Sequence, residues 1–293
     1  MASVSLVAAK ELALSFDDGV NPAIMADAAQ VNQSLLDQLA LQQIQAIMYP
    51  SLAKTGSDEA GLALVAEWGK AGHRIGNHSA QHTNLNKAEV SLADYLHSMA
   101  KADERLKTMH GWVARYRFPY LKEGDTALKR DGVRAWLRSH GYQSGAVTID
   151  ASDWYYNQLF RRYTANGDDA SLAKLKQAYV AHIVARADYY DALAHQTLGY
   201  SPKHVLLLHV NHINAAYLDA VVAALRQKNW RFIDSDTAYQ DPVYAQELDV
   251  LPAGESLIWS MAQSQGVAGL RYPAEDAPYE HDHLIAYGLA LTP

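Results

Sequence analysis

Leu12-Ala13-Leu14-Ser15-Phe16-Asp17-Asp18-Gly19 is a short apolar run that stops on two adjacent carboxylates and a glycine. The run predicts a strand over 11–16. Leu12, Leu14 and Phe16 would hold the carboxylates near the end of a sheet rather than out on a loop tip. Adjacent carboxylates in that position repel each other unless a cation or an arginine offsets their charge, and a metal ion would do so. Asp-Asp-Gly taken alone reads as a turn, so the decision rests on what the rest of the chain brings to the same place.

Further short apolar runs predict strands over 44–49, 74–77, 115–118, 145–149, 204–208 and 231–233. Between them amphipathic stretches predict helices over 32–41, 58–71, 89–109, 126–140, 171–196 and 214–228. Gly72, Gly111, Gly141 and Gly199 each follow a helical run, where a left-handed cap residue is expected. Seven βα-type repeats result. They predict an α/β fold, a distorted (β/α)7-type barrel forming a single catalytic domain over 11–240, since barrels of about 250 residues commonly form one domain. An open doubly wound sheet is the alternative. Residues 1–10 are read as an N-terminal segment. Residues 241–293, broken by Pro242, Gly254, Pro273 and Pro278, are read as a C-terminal extension that packs on the barrel or covers one side of its mouth.

With 293 residues, 49% of them hydrophobic, the chain is long enough to bury a large core. The formal net charge is −7 and no long basic run occurs, which argues against a nucleic-acid partner and suits a neutral or mildly charged substrate. There is no cysteine, so thiolate metal sites and cysteine nucleophiles are excluded and any metal must sit on His, Asp or Glu. No apolar stretch reaches the roughly 18 to 20 residues of a membrane helix. Met1 to Lys10 lack the charged and apolar regions of an intact signal peptide.

The unusual polar residues fall at the carboxyl ends of the predicted strands, which in a parallel barrel is the face that carries the active site. His78 and His82 stand four apart, and on one helical turn both rings would reach a single divalent ion; coincidence on a surface is the plain alternative. Two His and one carboxylate leave coordination positions open, as catalytic Zn²⁺ or Fe²⁺ requires. Arg117 either caps a strand or orients one aspartate and keeps it ionised. Pro119 fixes the backbone so that the Tyr120 amide could serve as an oxyanion donor. Asp153-Trp154 reads as an acidic turn or as a carboxylate that charges a catalytic His beside a pocket wall. His209 follows a buried apolar run, where nearby carboxylates would raise its pKa and make it an acid near neutral pH. His212 is read as structural. His73, His97, His110, His140, His182, His195, His204, His281 and His283 show no partner pattern and are read as surface or packing residues.

Taken together, Ser15-Phe16-Asp17-Asp18-Gly19, His78-Ser79-x-x-His82, Arg117-x-Pro119-Tyr120, Asp150-x-x-Asp153-Trp154 and Leu207-x-His209 resemble the five motifs of the polysaccharide deacetylases, carbohydrate esterase family 4, also called the NodB-homology domain. The resemblance covers about residues 11–235. It implies a Zn²⁺-like ion, with Co²⁺, Ni²⁺ or Fe²⁺ as alternatives, on Asp18, His78 and His82. It also implies Asp17 as general base held by Arg117, and His209 as general acid tuned by Asp153. Trp154 and Leu207 would line the acetyl-methyl pocket, and the Tyr120 amide would stabilise the oxyanion. One departure is Val210, where family members often carry Asp.

The expected reaction is hydrolysis of acetyl groups on an N-acetylglucosamine-containing poly- or oligosaccharide, chitin oligosaccharide or peptidoglycan. A periplasmic or secreted location follows from such polymers lying outside the cytoplasm, although a cytoplasmic one is compatible with the sequence. An O-acetyl (xylan) esterase of the same fold is the nearest rival. A carbohydrate-binding barrel without catalysis, stacking sugars on Trp154, Tyr155 and Tyr156, is the rival from another class. The predicted helix at 171–196 and the C-terminal extension are both candidates for shaping a substrate groove.

Overall fold

The computed structural model describes residues 9–271, 273 and 277–289, with the backbone alone at 277–279. The strands are β1 (Lys10–Asp18), β2 (Ile47–Pro50), β3 (Arg74–Asn77), β4 (Trp112–Tyr116), β5 (Lys122–Gly124), β6 (Gln143–Ser144), β7 (His204–His209), β8 (Trp230–Phe232) and β9 (Ala253–Gly254). The helices are α1 (Ala28–Gln42), α2 (Leu52–Thr55), α3 (Glu59–Lys70), α4 (Leu92–Leu106), α5 (Ala127–Ser139), α6 (Asp153–Ala165), α7 (Asp169–Leu198), α8 (His212–Gln227), α9 (Ser235–Ala238), α10 (Leu257–Ser264) and α11 (Ala277–Ala286).

A seven-stranded sheet runs β6-β4-β3-β2-β1-β7, with β8 paired to the lower end of β1. Every pairing in it is parallel. Because side chains alternate across a strand, Leu12, Leu14 and Phe16 of β1 face the helices, where they join the main apolar core, while Ala13, Ser15 and Asp17 face the opposite way. The distorted (β/α) barrel expected from the sequence is the observed architecture.

Local structure departs from expectation at four places. The strand expected at 145–149 is reduced to β6 and a single bridge, Ile149 to Leu206. Gly145 N–H donates to Tyr116 O on one side, and Leu207 N–H donates to Ile149 O at 3.0 Å on the other. This irregular segment therefore closes the barrel between β4 and β7. Residues 78–82 form a loop and not a helical turn. The helix α6 has no counterpart among the expected elements, and its first residues, Asp153-Trp154, read as an acidic turn; the buried Tyr156, Leu159 and Tyr163 carry its core-facing pattern. The helix expected at 171–196 is present as α7, and it packs against α6, α8 and α10 without lining the groove.

Gly19 marks the abrupt end of β1. Its φ is 92°, and a Cβ there would stand 2.4 Å from Thr55 Cγ2, so only glycine fits. Gly76 meets a second limit: a Cβ would stand 2.5 Å from the Tyr49 ring.

After Asp241 the chain returns to the barrel. β9 pairs antiparallel with β5, and Leu257 N–H donates to Val147 O at 2.8 Å. Among the described residues no helix is long and apolar enough to cross a membrane.

Candidate active site

The register of β1 decides the layout. Asp17 is opposite Tyr49 on β2 and His209 on β7, while Asn77 is opposite Tyr116, so His78 and Arg117 leave their strands at one level. All lie at carboxyl ends, around a cavity of about 640 Å³. Asp17, Asp18, His78, His82, Tyr120, Asp150, Trp154, Leu207 and His209 all line it, and Arg117 lies buried behind Asp17.

Asp17 is 2% exposed, which rules out a plain surface turn. Arg117 Nη1 donates to Asp17 Oδ1 at 2.7 Å. The rest of the guanidinium is fixed by Ser15 Oγ at 3.1 Å, by Tyr239 Oη at 3.4 Å and by Gly145 O, and it lies 4.4 Å over the Tyr49 ring. Burial raises the pKa of Asp17 above the ordinary carboxylate value, with Arg117 opposing it. Arg117 itself stays charged: burial opposes its charge, but the Asp17 carboxylate outweighs that and shifts its pKa upward.

The loop after β3 is shaped by small polar residues. Asn77 Oδ1 accepts from Ser79 N–H at 2.8 Å, and Ser79 Oγ accepts from His82 N–H at 3.0 Å. Ser98 Oγ on α4 accepts from Ala80 and Gln81 at 3.1 and 2.9 Å. These bonds hold Ser79 and His82 at φ of 66° and 52°, and the loop turns both imidazoles inward without a helix. Of eight described non-glycine residues with positive φ, five border this site: Asp18, Ser79, His82, Tyr120 and Leu121. Such conformations cost on the order of 1 kcal/mol each and persist where surrounding contacts enforce them.

Asp18, His78 and His82 offer ligand atoms all within 4.8 Å of one another. His82 Nε2 lies 3.0 Å from Asp18 Oδ1, and His78 Nε2 lies 3.8 Å from the same oxygen. That oxygen is buried with no hydrogen-bond partner. His78 Nδ1 donates to Arg117 O at 2.8 Å, which leaves the Nε2 lone pair aimed at the carboxylates. Burial, first, and the neighbouring His82 hold His78 neutral, well below its ordinary pKa. A neutral imidazole, an unpartnered carboxylate oxygen and a second imidazole edge-on at 4.9 Å fit a divalent cation. Tyr120, at φ 58°, sets its ring edge against His82 at 4.7 Å.

Across the cavity, His209 Nδ1 lies 2.7 Å from Asp153 Oδ1. The other Asp153 oxygen accepts from His209 N–H at 2.8 Å, Asn211 Nδ2 at 2.9 Å and Asn214 Nδ2 at 2.7 Å. Tyr179 Oη donates in turn to Asn214 Oδ1. Burial alone would depress the His209 pKa, but Asp153, then Asp18 and Asp17, outweigh it and lift it to about 10. Asn211 and Asn214 were missed in the sequence; their signal was an Asn that caps α8 and accepts from an Asn three residues on. Val210 packs in the core, and its N–H donates to Asp17 O at 3.1 Å. His212 pairs with Asp27 at 3.0 Å on the rim.

Trp154, Asn157, Gln158 and Arg161 line the cavity from α6, at the i, i+3, i+4, i+7 spacing of one helical face. The last three were also missed. Lys54 enters from the other side, 3.6 Å from Asp18 Oδ2.

A model of the family described as polysaccharide deacetylase matches residues 7–144. Over that span the chain is similar to the polysaccharide deacetylases. The matched span holds Asp17, Asp18, His78, His82, Arg117 and Tyr120; Asp153, Trp154, Leu207 and His209 lie beyond it. A peptidoglycan-N-acetylglucosamine deacetylase from Bacillus cereus is 24% identical over 237 residues, covering 78% of this chain and 68% of that relative. Among solved structures, a peptidoglycan N-acetylglucosamine deacetylase matches with TM-score 0.51 at 22% identity, over 78% of this chain and 88% of the other. A family 4 carbohydrate esterase from Streptomyces lividans, in complex with acetate, matches with TM-score 0.52 at 19% identity, over 79% and 97%. A mutant of a family pseudoenzyme with restored enzymatic activity matches with TM-score 0.52 at 15% identity, over 78% and 67%. These structural likenesses carry the fold alone, and what the site does must be argued from its side chains.

Proposed function

We propose that this chain removes the acetyl group from N-acetylglucosamine residues of a poly- or oligosaccharide, peptidoglycan or chitin oligosaccharide, outside the cytoplasm, with 11–240 as its catalytic unit. The observation that carries the reading is the facing of two sets of groups across one cavity. Asp17 sits beside Asp18, His78 and His82, and opposite them stands a His209 that Asp153 keeps charged. The substrate of the Bacillus cereus relative favours peptidoglycan.

Asp18, His78 and His82 would hold a divalent ion, most simply Zn²⁺, and when bound it supplies a Lewis acid that polarises the acetyl carbonyl and acidifies water. Asp17 takes the proton of the attacking water, with Arg117 on Oδ1 leaving Oδ2 turned toward His78 Nε2 at 3.6 Å. The water oxygen first bonds to the acetyl carbon, placing charge on the former carbonyl oxygen, and the C–N bond then breaks as His209 gives its Nε2 proton to the departing amine. Its Nδ1 is already committed to Asp153. Trp154 and Leu207 enclose the acetyl methyl, and the Tyr120 amide steadies the oxygen that gains charge.

The direct test is acetate release across N-acetylated oligosaccharides, peptidoglycan and acetylxylan, with and without a chelator. Release from the N-acetyl substrates should vanish with the chelator and return with added Zn²⁺ or Co²⁺. Full turnover after exhaustive chelation would refute the metal assignment.

Asp153→Asn tests the acid separately. His209 is protonated below about pH 10 and loses its proton as pH rises through that value. Removing the Asp153 charge lowers that pKa, so the basic limb of the pH–rate profile should move to lower pH by about one unit or more. An unmoved limb would mean that His209 is not the proton donor.

A further inference from the structure

Behind Asp153, away from the cavity, lies a buried polar cluster that the proposed reaction leaves idle. It joins Ser152 at the start of α6, His182 on α7 and Glu280 on α11, which are 0%, 3% and 1% exposed. Ser152 Oγ donates to Glu280 Oε1 at 2.6 Å, across 128 residues of chain. Ser152 N–H donates to His182 Nε2 at 3.1 Å, and His182 Nδ1 lies 3.1 Å from Glu280 Oε2. A backbone N–H can only donate, so Nε2 is the acceptor and the ring proton sits on Nδ1, facing the carboxylate. His182 is thus neither a surface residue nor mere packing.

Serine, histidine and glutamate also compose hydrolytic triads. Here Ser152 Oγ bonds the carboxylate rather than the imidazole, and its full burial bars substrate, so the cluster has no nucleophile to offer. Its location suggests another role. A helix-capping serine ordinarily turns its hydroxyl onto the amides of its own helix. Ser152 makes no such bond, because the hydroxyl is turned to the C-terminal helix instead. The next residue is Asp153.

We infer that Glu280 is a positioning residue for the reaction: through Ser152 and His182 it fixes the first turn of α6, and with it the angle at which Asp153 meets His209. The inference rests on the roles of Asp153 and His209 proposed above. It gives the C-terminal segment a part in the site although none of its described residues lines the cavity. Among the described residues, the charged and titratable groups around Glu280 are His182 and Arg186 on α7 and Tyr155 and Tyr156 on α6, with His283 on α11 facing His182; those around His209 are Asp153 on α6 and Asp17 and Asp18 on β1.

The test is Glu280→Gln in the full chain, read as acetate release per folded molecule across pH. Glutamine keeps the volume and one acceptor oxygen, so the helix should stay docked. The expected result is a kcat lower by on the order of 10-fold or more with KM unchanged, since small misplacements of reacting groups are costly. The basic limb should also move to lower pH by about one unit or more. Ser152→Ala cuts the same link while leaving every charge in place; it should move the limb in the same direction, and it serves if Glu280→Gln does not fold. A lower melting temperature with kcat and the basic limb unchanged in both variants would make the cluster a packing feature and overturn the inference. His209→Ala separates the two levels. If it keeps amide turnover, the reading of the site fails; if it is inactive while both cluster variants behave as the unmutated chain, only the positioning role fails.

Discussion

Asp17→Asn is expected to lower acetate release from an N-acetylated saccharide by on the order of 10²- to 10⁴-fold, the usual contribution of a positioned acid or base. The amide oxygen of asparagine can still accept from Arg117, but it cannot take a proton from water. The substitution also leaves a buried guanidinium without its counter-charge, and breaking a buried pair costs about 3–5 kcal/mol when nothing else holds the remaining ion. Ser15, Gly145, Tyr239 and the Tyr49 ring all hold Arg117, so the fold should survive at reduced stability. Rates are therefore to be compared per folded molecule, with a melting curve beside them. Unchanged acetate release would mean that Asp17 is not the base, and release no greater than background from the unmutated chain as well would return the protein to the reading of a carbohydrate-binding barrel.

His209→Ala should divide amide from ester substrates. An amine is a poor leaving group until it is protonated, so release from an N-acetyl sugar should fall by on the order of 10²- to 10⁴-fold. An O-acetyl ester needs far less help at its leaving oxygen and should lose much less. Parallel assays on an N-acetylglucosamine oligomer and on acetylxylan read the difference. Equal losses on both would assign His209 to something other than leaving-group protonation, and a native preference for the ester would favour the esterase.

Much of this site was legible because its chemistry sits at strand ends. Leu12, Leu14 and Phe16 mark β1 by alternation, and a parallel barrel sends whatever follows each strand to one face. Asp17, Asp18, His78, His82, Arg117 and His209 were therefore readable in place. What escaped depends on contacts distant in sequence or on backbone that obeys no period. The 78–82 loop delivers its two imidazoles through bonds to Asn77, Ser79 and Ser98, and a spacing of four suggested a helix instead. The strand expected at 145–149 keeps only the β6 pairing beside β4 and one bridge to β7, which its apolar run does not reveal. Glu280 meets Ser152 across most of the chain's second half, and no local pattern announces such a pairing.

Arg117 draws its partners from β1, from Gly145 in the closing segment and from Tyr239 beyond α9, with Tyr49 of β2 beneath it. The β1 residues and Tyr49 are neighbours within the sheet, but Gly145 reaches them only from the segment that closes the barrel. The full set of contacts that aims Asp17 is therefore complete only in the closed barrel. A chain with its helices formed and this seam open would lack the Gly145 contact that helps to fix Arg117 against Asp17.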